Sequence, residues 1–285
     1  MIDHITVDHV AAIEVPILLS IRQEIAEIMQ RATTLREGAR VRLHRLVDEF
    51  GKKLPDQGPS LRLSDGWTRR AAQLDRRLDA AYHDPSVSSI RSALSQSGGM
   101  TVAEVAGAFI PGRYRRYYVE AEYGRPIVSG RQLLQTQPIN LRHIAARSFD
   151  FSLYELSESM LAFGAEGRAE ERIAQPALIT GERAGWLANN HVMRVRPLPG
   201  VNAGWLYLAF AVPQVQAQVK ACSSGSVVDA VSPSDLSRVV LPPVDEERGA
   251  AALKCWRDFG AANHLEDRAI ATLEAAIQRG AFGLS

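Results

Sequence analysis

The chain has 285 residues, 46% hydrophobic and 23% charged, enough apolar material for one large domain or two smaller ones. No apolar run approaches the ~18 residues of a membrane span, and the opening MIDHITVDHV lacks the basic-then-apolar order of a signal peptide, so a cytoplasmic protein with no membrane partner is expected. A net charge of +1 confines any nucleic-acid role to local patches, and Cys222 and Cys255 lack the spacing of a disulfide framework or a zinc site.

The first segment, DHVAAIEVPIL, aligns with SDLSRVVLPPV near the C-terminus: Val10 matches Leu236, Ile13 matches Val239, Val15 matches Leu241 and Pro16 matches Pro242. A long helical pattern follows each copy, so the repeated unit is a strand, a proline and a helix. Residues 1–16 read as the residual strand-like tail of a missing preceding module. Over 17–50 the apolar positions Ile21, Ile25, Ile28, Ala32, Leu35, Ala39 and, past a polar Arg42, Leu46 alternate by four and three, which predicts a heptad seam. Residues 51–65, with Pro55, Gly58 and Pro59, read as a linker.

A domain is expected over 66–243. It opens with a helix from Trp67 to Tyr82 and a second from Ser86 to Leu94, followed by a helical turn capped by Thr101. From Tyr117 the pattern turns to short β-type runs, YYVEAEY, RPIVSG, PALITG, WLANNHVMRVRPL and SRVVLP, with one further helix at Ala203 to Lys220. Over 244–285 the seam returns as Ala252, Trp256, Phe259, polar Asn263 and Glu266, then Ile270, Leu273 and Ile277. The expected fold class is α+β: one globular domain with an irregular sheet, between two long helices paired as an antiparallel coiled-coil arm of about 50 Å. A helical subdomain folded back on the globular part fits the same pattern.

Several chemistries are missing. The residues two before the four lysines are Phe50, Gly51, Gln218 and Ala252, so a restriction-nuclease core of acidic residue and lysine cannot be assembled in its usual form. There is no G-x-G-x-x-G, P-loop, G-x-S-x-G or H-E-x-x-H, and no methyltransferase asparagine-proline-proline-aromatic signature. The seven histidines are scattered. The pattern points to a binder with no catalytic residue, metal or cofactor of its own.

The candidate binding residues fall in patches. GRYRRYY interleaves Arg113, Arg115 and Arg116 with tyrosines including Tyr114, as a phosphate-gripping surface does; a basic strand on a solvated face reads the same way. Ser129, Arg131, Gln132, Gln135, Asn140 and Arg142 follow within 22 residues. Arg168 lies in a polar loop, and Asn189, Asn190, His191 and Arg194 form a last cluster. Gln, Asn and Arg are the side chains that read base edges bidentately. Gln132, Gln135, Asn189 and Arg194 are the expected base contacts, and Gly112 to Tyr118 the phosphate grip. Of 33 basic residues only four are lysines, an excess of arginine that GC-rich coding also explains.

RRLDAAYHDPSVSSIRSAL, TVAEVAGAFIPGRYRRYYV, YGRPIVSGRQLL, GWLANNHVMRVRP and the closing GWLYLAFAVPQVQAQVKACSSGSVVDAVSPSDLSRVVLPPVDEE resemble, in this order, the DNA-specificity (S) subunits of type I restriction-modification systems. The final P-x-P of that family's closing strand is Pro242-Pro243 here. The resemblance covers roughly Gly66 to Ile277, and Pro16 to Leu46 looks like the family's other helix. It implies a non-catalytic subunit whose target recognition domain binds double-stranded DNA and whose helices space the domains. It also implies docking of adenine methyltransferase subunits, which carry S-adenosylmethionine, with a restriction or translocase subunit as a further partner. The family usually has two recognition domains; one is present here. A half subunit pairing with a second copy or a complementary half is therefore expected. A coiled-coil assembly protein without DNA contact is the alternative.

Overall fold

The computed structural model describes residues 19–55, 66–74, 77–135, 137–145, 150–167, 174–224 and 229–279. The strand-like tail at 1–16, most of the 51–65 linker and Arg168 lie outside the described residues. Two helices of 33 residues each, α1 (Leu19–Gly51) and α8 (Glu246–Gln278), run antiparallel as an arm. Their ion pairs give the direction: Arg42 meets Asp258 at 2.6 Å, Arg36 meets Glu266, and Arg268 stands 3.8 Å from Glu24. Residue numbers fall on one helix as they rise on the other.

The seam keeps its expected positions at Ile28, Ala32 and Ala39 of α1 and at Ala252, Asn263 and Glu266 of α8, and departs from them toward the ends. On α1 the buried positions are Ile28, Ala32, Ala39, Leu43 and Phe50, while Arg42 faces solvent. On α8 they are Gly249, Ala252, Cys255, Gly260, Ala262, Asn263, Glu266, Ala269 and Ala276. Ile270, Leu273 and Ile277, expected in the seam, are exposed at 48%, 38% and 41%. Alanines are frequent among the buried positions, two on α1 and four on α8, and their small side chains allow close approach. The larger residues one position on differ: Trp256 packs toward the globular domain, Asn263 bridges Arg36 of α1 and Glu182, and Ile270 and Ile277 face solvent.

Between the arms lies an α+β domain. The described residues of the 66–84 segment do not form the expected helix; they hold a 3-10 turn at Ala71–Gln73 and a hydrogen-bonded turn from Ala80 to Asp84. The reason is side-chain capture. Arg77 donates to the Cys222 and Ser223 carbonyls and pairs with Asp235, and Arg69 donates to the His83 carbonyl and Ser88, which ties the segment down along the surface. Helix α2 (Pro85–Gln96) is capped by Asp84, whose side chain accepts from the Ser86 amide. Next come β1 (Met100–Thr101), the single turn α3 (Val102–Val105) in a Thr101–Glu104 capping box, and β2 (Ala106–Phe109).

Then follow β3 (Tyr118–Val119), β4 (Gly124–Val128), α4 (Gly130–Leu133), β5 (Arg142–Ala145), β6 (Leu161–Gly164), β7 (Glu166–Gly167), β8 (Ala177–Leu178), β9 (Leu187–Ala188) and β10 (Val192–Pro197). The helix expected at 203–220 is two, α5 (Ala203–Ala211) and α6 (Pro213–Ala221). Pro213 has no amide hydrogen to donate and pushes Val212 out of the helical region, to ψ 145°. The chain closes with β11 (Asp229–Ala230), α7 (Pro233–Leu236), β12 (Val240–Leu241) and α8.

Two four-stranded sheets organise the domain, β2-β10-β6-β8 and β3-β5-β4-β9, with pairs β1-β12 and β7-β11 beside them. The first sheet is antiparallel; in the second, β4 and β9 run parallel. The main core joins the first sheet to α5, α6 and the domain-proximal half of the arm: Phe163, Trp205, Phe210 and Leu206 pack with Phe50, Leu43, Ala252 and Cys255. Domain and arm therefore share one hydrophobic core. The Trp205 indole donates to the Pro243 carbonyl at 3.1 Å and fixes the strand-proline-helix joint.

Candidate nucleic-acid interface

The second sheet brings the two main sequence patches together. Because β3 and β4 both pair with β5, Tyr118 stands opposite Ile144 and Ile127 opposite Arg142. The parallel β4/β9 pair adds Asn189, whose amide donates to the Val128 carbonyl at 3.0 Å. The result is a cleft of about 550 Å³ lined by Arg116, Tyr118, Ser129, Arg131, Gln132, Gln135, Ile139, Asn140, Arg142 and Asn189, over a floor of Ile127 and Val128. Three arginines and four amides line it, with no carboxylate among the described residues. Eight residues expected at the site from sequence stand in it.

Helix α4 forms one wall. Gly130 lets it close on β6, since a Cβ there would lie 2.8 Å from Gly164 Cα. Ser129 caps it in a box with Gln132, whose side-chain oxygen accepts from the Ser129 amide and hydroxyl at 3.0 Å. The Gln132 amide group donates to the Ile139 and Asn140 carbonyls at 2.9 and 3.3 Å. Both ends of Gln132, an expected base contact, are occupied, which makes it a pin for the loop. Gln135 accepts from the Ile139 amide at 3.1 Å through its oxygen. Asn140, at φ 54°, takes a left-handed conformation that Asn tolerates better than most residues, and it is exposed, as are Arg131 and Arg142.

Opposite, Arg116 donates to Asn190 at 2.5 Å and lies 5.5 Å from the Tyr114 ring centroid. Arg142 lies 4.9 Å from the Tyr118 ring centroid. Burial would raise the Tyr118 hydroxyl, but hydrogen bonds and charge from Arg116 and Arg142 outweigh it and hold the group below the ordinary tyrosine value. Tyr118, the last residue of the expected phosphate grip, and Ile139, which sequence reasoning did not assign to the site, are 46% and 65% exposed at its lip. The signal for Tyr118 was present in GRYRRYY; Ile139 had none. Arg113 and Arg115 are exposed outside the cleft, Arg115 against the Tyr117 ring at 5.1 Å.

Four expected contacts have other surroundings. Tyr114 turns inward against Phe151 and Tyr154, and burial raises its hydroxyl despite Arg116 beside it. Asn190 is buried and holds Arg116. His191 pairs with Glu166 at 2.7 Å, away from the cleft lining. Arg194 is 0% exposed, so the expectation that it reads a base is corrected. It donates to the carbonyls of Val192 (2.8 Å), Ala188 (2.6 Å), Tyr154 (3.1 Å) and Asn189 (3.4 Å), and burial lowers its pKa to about 10. It is a clamp beneath the cleft.

Among the described residues no three His, Cys, Asp or Glu side chains converge to hold a metal ion, and no helix is long and apolar enough to cross a membrane.

The architecture is an α+β domain carried on a two-helix antiparallel arm. No family model and no curated protein matches the sequence. Solved structures with a similar fold include one described as the structural basis of complex assembly and conformational transition of the type I R-M system, at 14% identity and a TM-score of 0.43. Another is the type I restriction-modification S subunit from M. genitalium, at 12% identity and 0.43. A third is the HsdS subunit from Thermoanaerobacter tengcongensis, at 13% identity and 0.40. Each covers 93% of this chain, and this chain spans 55% to 58% of theirs.

Proposed function

We propose that this chain is a non-catalytic DNA target-recognition subunit. Its domain reads duplex DNA through the cleft on the β3-β5-β4-β9 sheet, and its arm holds an adenine methyltransferase subunit that carries S-adenosylmethionine, with a restriction or translocase subunit as a further partner. The observation that carries the reading is the cleft itself: three arginines and four side-chain amides converge there without a carboxylate. A cationic surface rich in amides suits a polyanion with hydrogen-bonding edges. In this reading Arg113, Arg115 and Arg116 grip phosphates, and Arg131, Gln135, Asn140, Arg142 and Asn189 reach base edges. Gln132, Tyr114, Asn190 and Arg194 position them.

The exposed Ile270, Leu273 and Ile277, spaced three and four apart on α8, form an apolar stripe on the arm beyond the domain. It supports docking of a partner there, including a second copy that would supply the other half-site. The same stripe favours the second reading, an assembly subunit that binds protein and makes no DNA contact.

Selection of bound duplexes from a random pool, with and without an adenine methyltransferase subunit, tests the proposal. One short sequence class is expected. Arg142→Ala should cost about 1–3 kcal/mol of discrimination at one base pair, while Arg113→Ala should weaken all sequences alike and reduce the salt slope by about 1. Equal losses on every sequence for both variants would remove direct readout.

A further inference from the structure

The polar positions in the α8 seam, Asn263 and Glu266, face two ways. Glu266 accepts from Arg36 of α1 through one carboxylate oxygen and from the Gln137 side chain at 2.9 Å through the other. Asn263 accepts from Arg36 at 3.1 Å and donates to Glu182 at 2.8 Å. Next to Glu182, the buried Arg183 donates to the carbonyls of Leu133 and Gln135 at 3.3 and 2.8 Å. Two struts thus run from the arm to the segment that ends α4 and lines the cleft. One is direct, Glu266 to Gln137. The other passes through Asn263, Glu182 and Arg183. Neither Asn263 nor Glu266 lines the cleft. Burying a carboxylate in a helix seam brings little net stability compared with an apolar residue, so stability alone does not account for it.

We infer that the arm positions the reading loop: Glu266 and Asn263 set where Gln135, Ile139 and Asn140 stand in the cleft, and are positioning residues for sequence discrimination. The inference rests on the proposed DNA-reading role of the cleft. It makes the arm part of the reading apparatus as well as its mount.

The test uses the full chain and two variants, Gln137→Leu at an exposed position and Glu266→Gln, which keeps the volume of the seam. Hydrogen exchange comes first, because it needs no DNA. The Ile139 amide, held by Gln135, should exchange about tenfold faster in both variants; the unfolding midpoint should stay nearly unchanged in Gln137→Leu and fall in Glu266→Gln, which leaves the Arg36 charge in the seam without its carboxylate. Pool selection follows: both variants should lose about tenfold of discrimination at the same base pair, retain the wild-type salt slope, and be no worse when combined. Unchanged exchange at Ile139 overturns the inference whatever the DNA result. Faster exchange with wild-type discrimination overturns the specificity role. If the wild-type chain shows no salt-dependent DNA binding, the proposed function fails and this role falls with it, while the exchange result still reports whether the strut exists.

Discussion

Arg194→Met is expected to lower the unfolding free energy by about 3 kcal/mol or more, although methionine fits the apolar surroundings. Arg194 sits on β10, the strand paired on both sides by β2 and β6, and is wholly enclosed. Its guanidinium supplies donors to four backbone carbonyls, two of them in the Ala188–Asn189 turn that carries Asn189 into the cleft. Removing it takes a donor from all four; the Tyr154 and Asn189 carbonyls keep the Ala188 and Val192 amides, and each carbonyl left unsatisfied in the interior costs about 1–3 kcal/mol. The pKa of about 10 leaves the group charged at neutral pH, so the hydrogen bonds are charge-assisted. Urea unfolding followed by circular dichroism checks this. Arg142→Ala, at an exposed site, should stay within about 0.5 kcal/mol of wild type. A native midpoint for Arg194→Met would show that the clamp is dispensable.

Gly204→Ala should destabilise by about 3 kcal/mol, the upper end of the usual overpacking range. Helix α5 crosses α8 with Gly204 facing Gly249: a Cβ on Gly204 would stand 2.0 Å from the Gly249 carbonyl oxygen and 2.7 Å from the Leu253 amide nitrogen. On the other side, a Cβ on Gly249 would lie 2.8 Å from Trp205 Cβ. The two atoms nearest a Gly204 Cβ are backbone atoms, so rotamer changes cannot relieve that clash and the helices must separate. Separation would open the core around Trp205 and loosen the joint between domain and arm. Gly107→Ala is the control, since a Cβ there meets nothing within 4 Å. Its unfolding midpoint should match wild type within error, while that of Gly204→Ala falls. Equal midpoints would contradict the close crossing.

The long helices were legible because alternating four-three spacing over thirty residues has few other solutions. The seam at the C-terminal end of the second was not. Hydropathy ranks Ile270, Leu273 and Ile277 above Ala269 and Ala276, whereas close helix contact selects the alanines. The 66–84 segment has helix-forming composition, and nothing local shows that Arg69 and Arg77 are claimed by carbonyls far away in the chain. The cleft was legible as two separate patches but not as one site, since joining them requires β5 to pair with both β3 and β4. Arg194 and Arg196 alternate with valine alike, yet one is buried and the other exposed; the fate of each depends on which carbonyls the loops turn inward.

DNA binding by the acid-free cleft is the central claim. The most direct measurement is the affinity of the intact chain for its selected duplex and for a scrambled duplex across a range of salt concentrations. The prediction is tighter binding to the selected duplex at every salt, with log K falling linearly against log salt by about 0.9 for each phosphate neutralised. Arg113→Ala and Arg115→Ala should each make that slope shallower. Weak, salt-independent binding that is equal on both duplexes would contradict the account and leave the protein-binding arm as its main function.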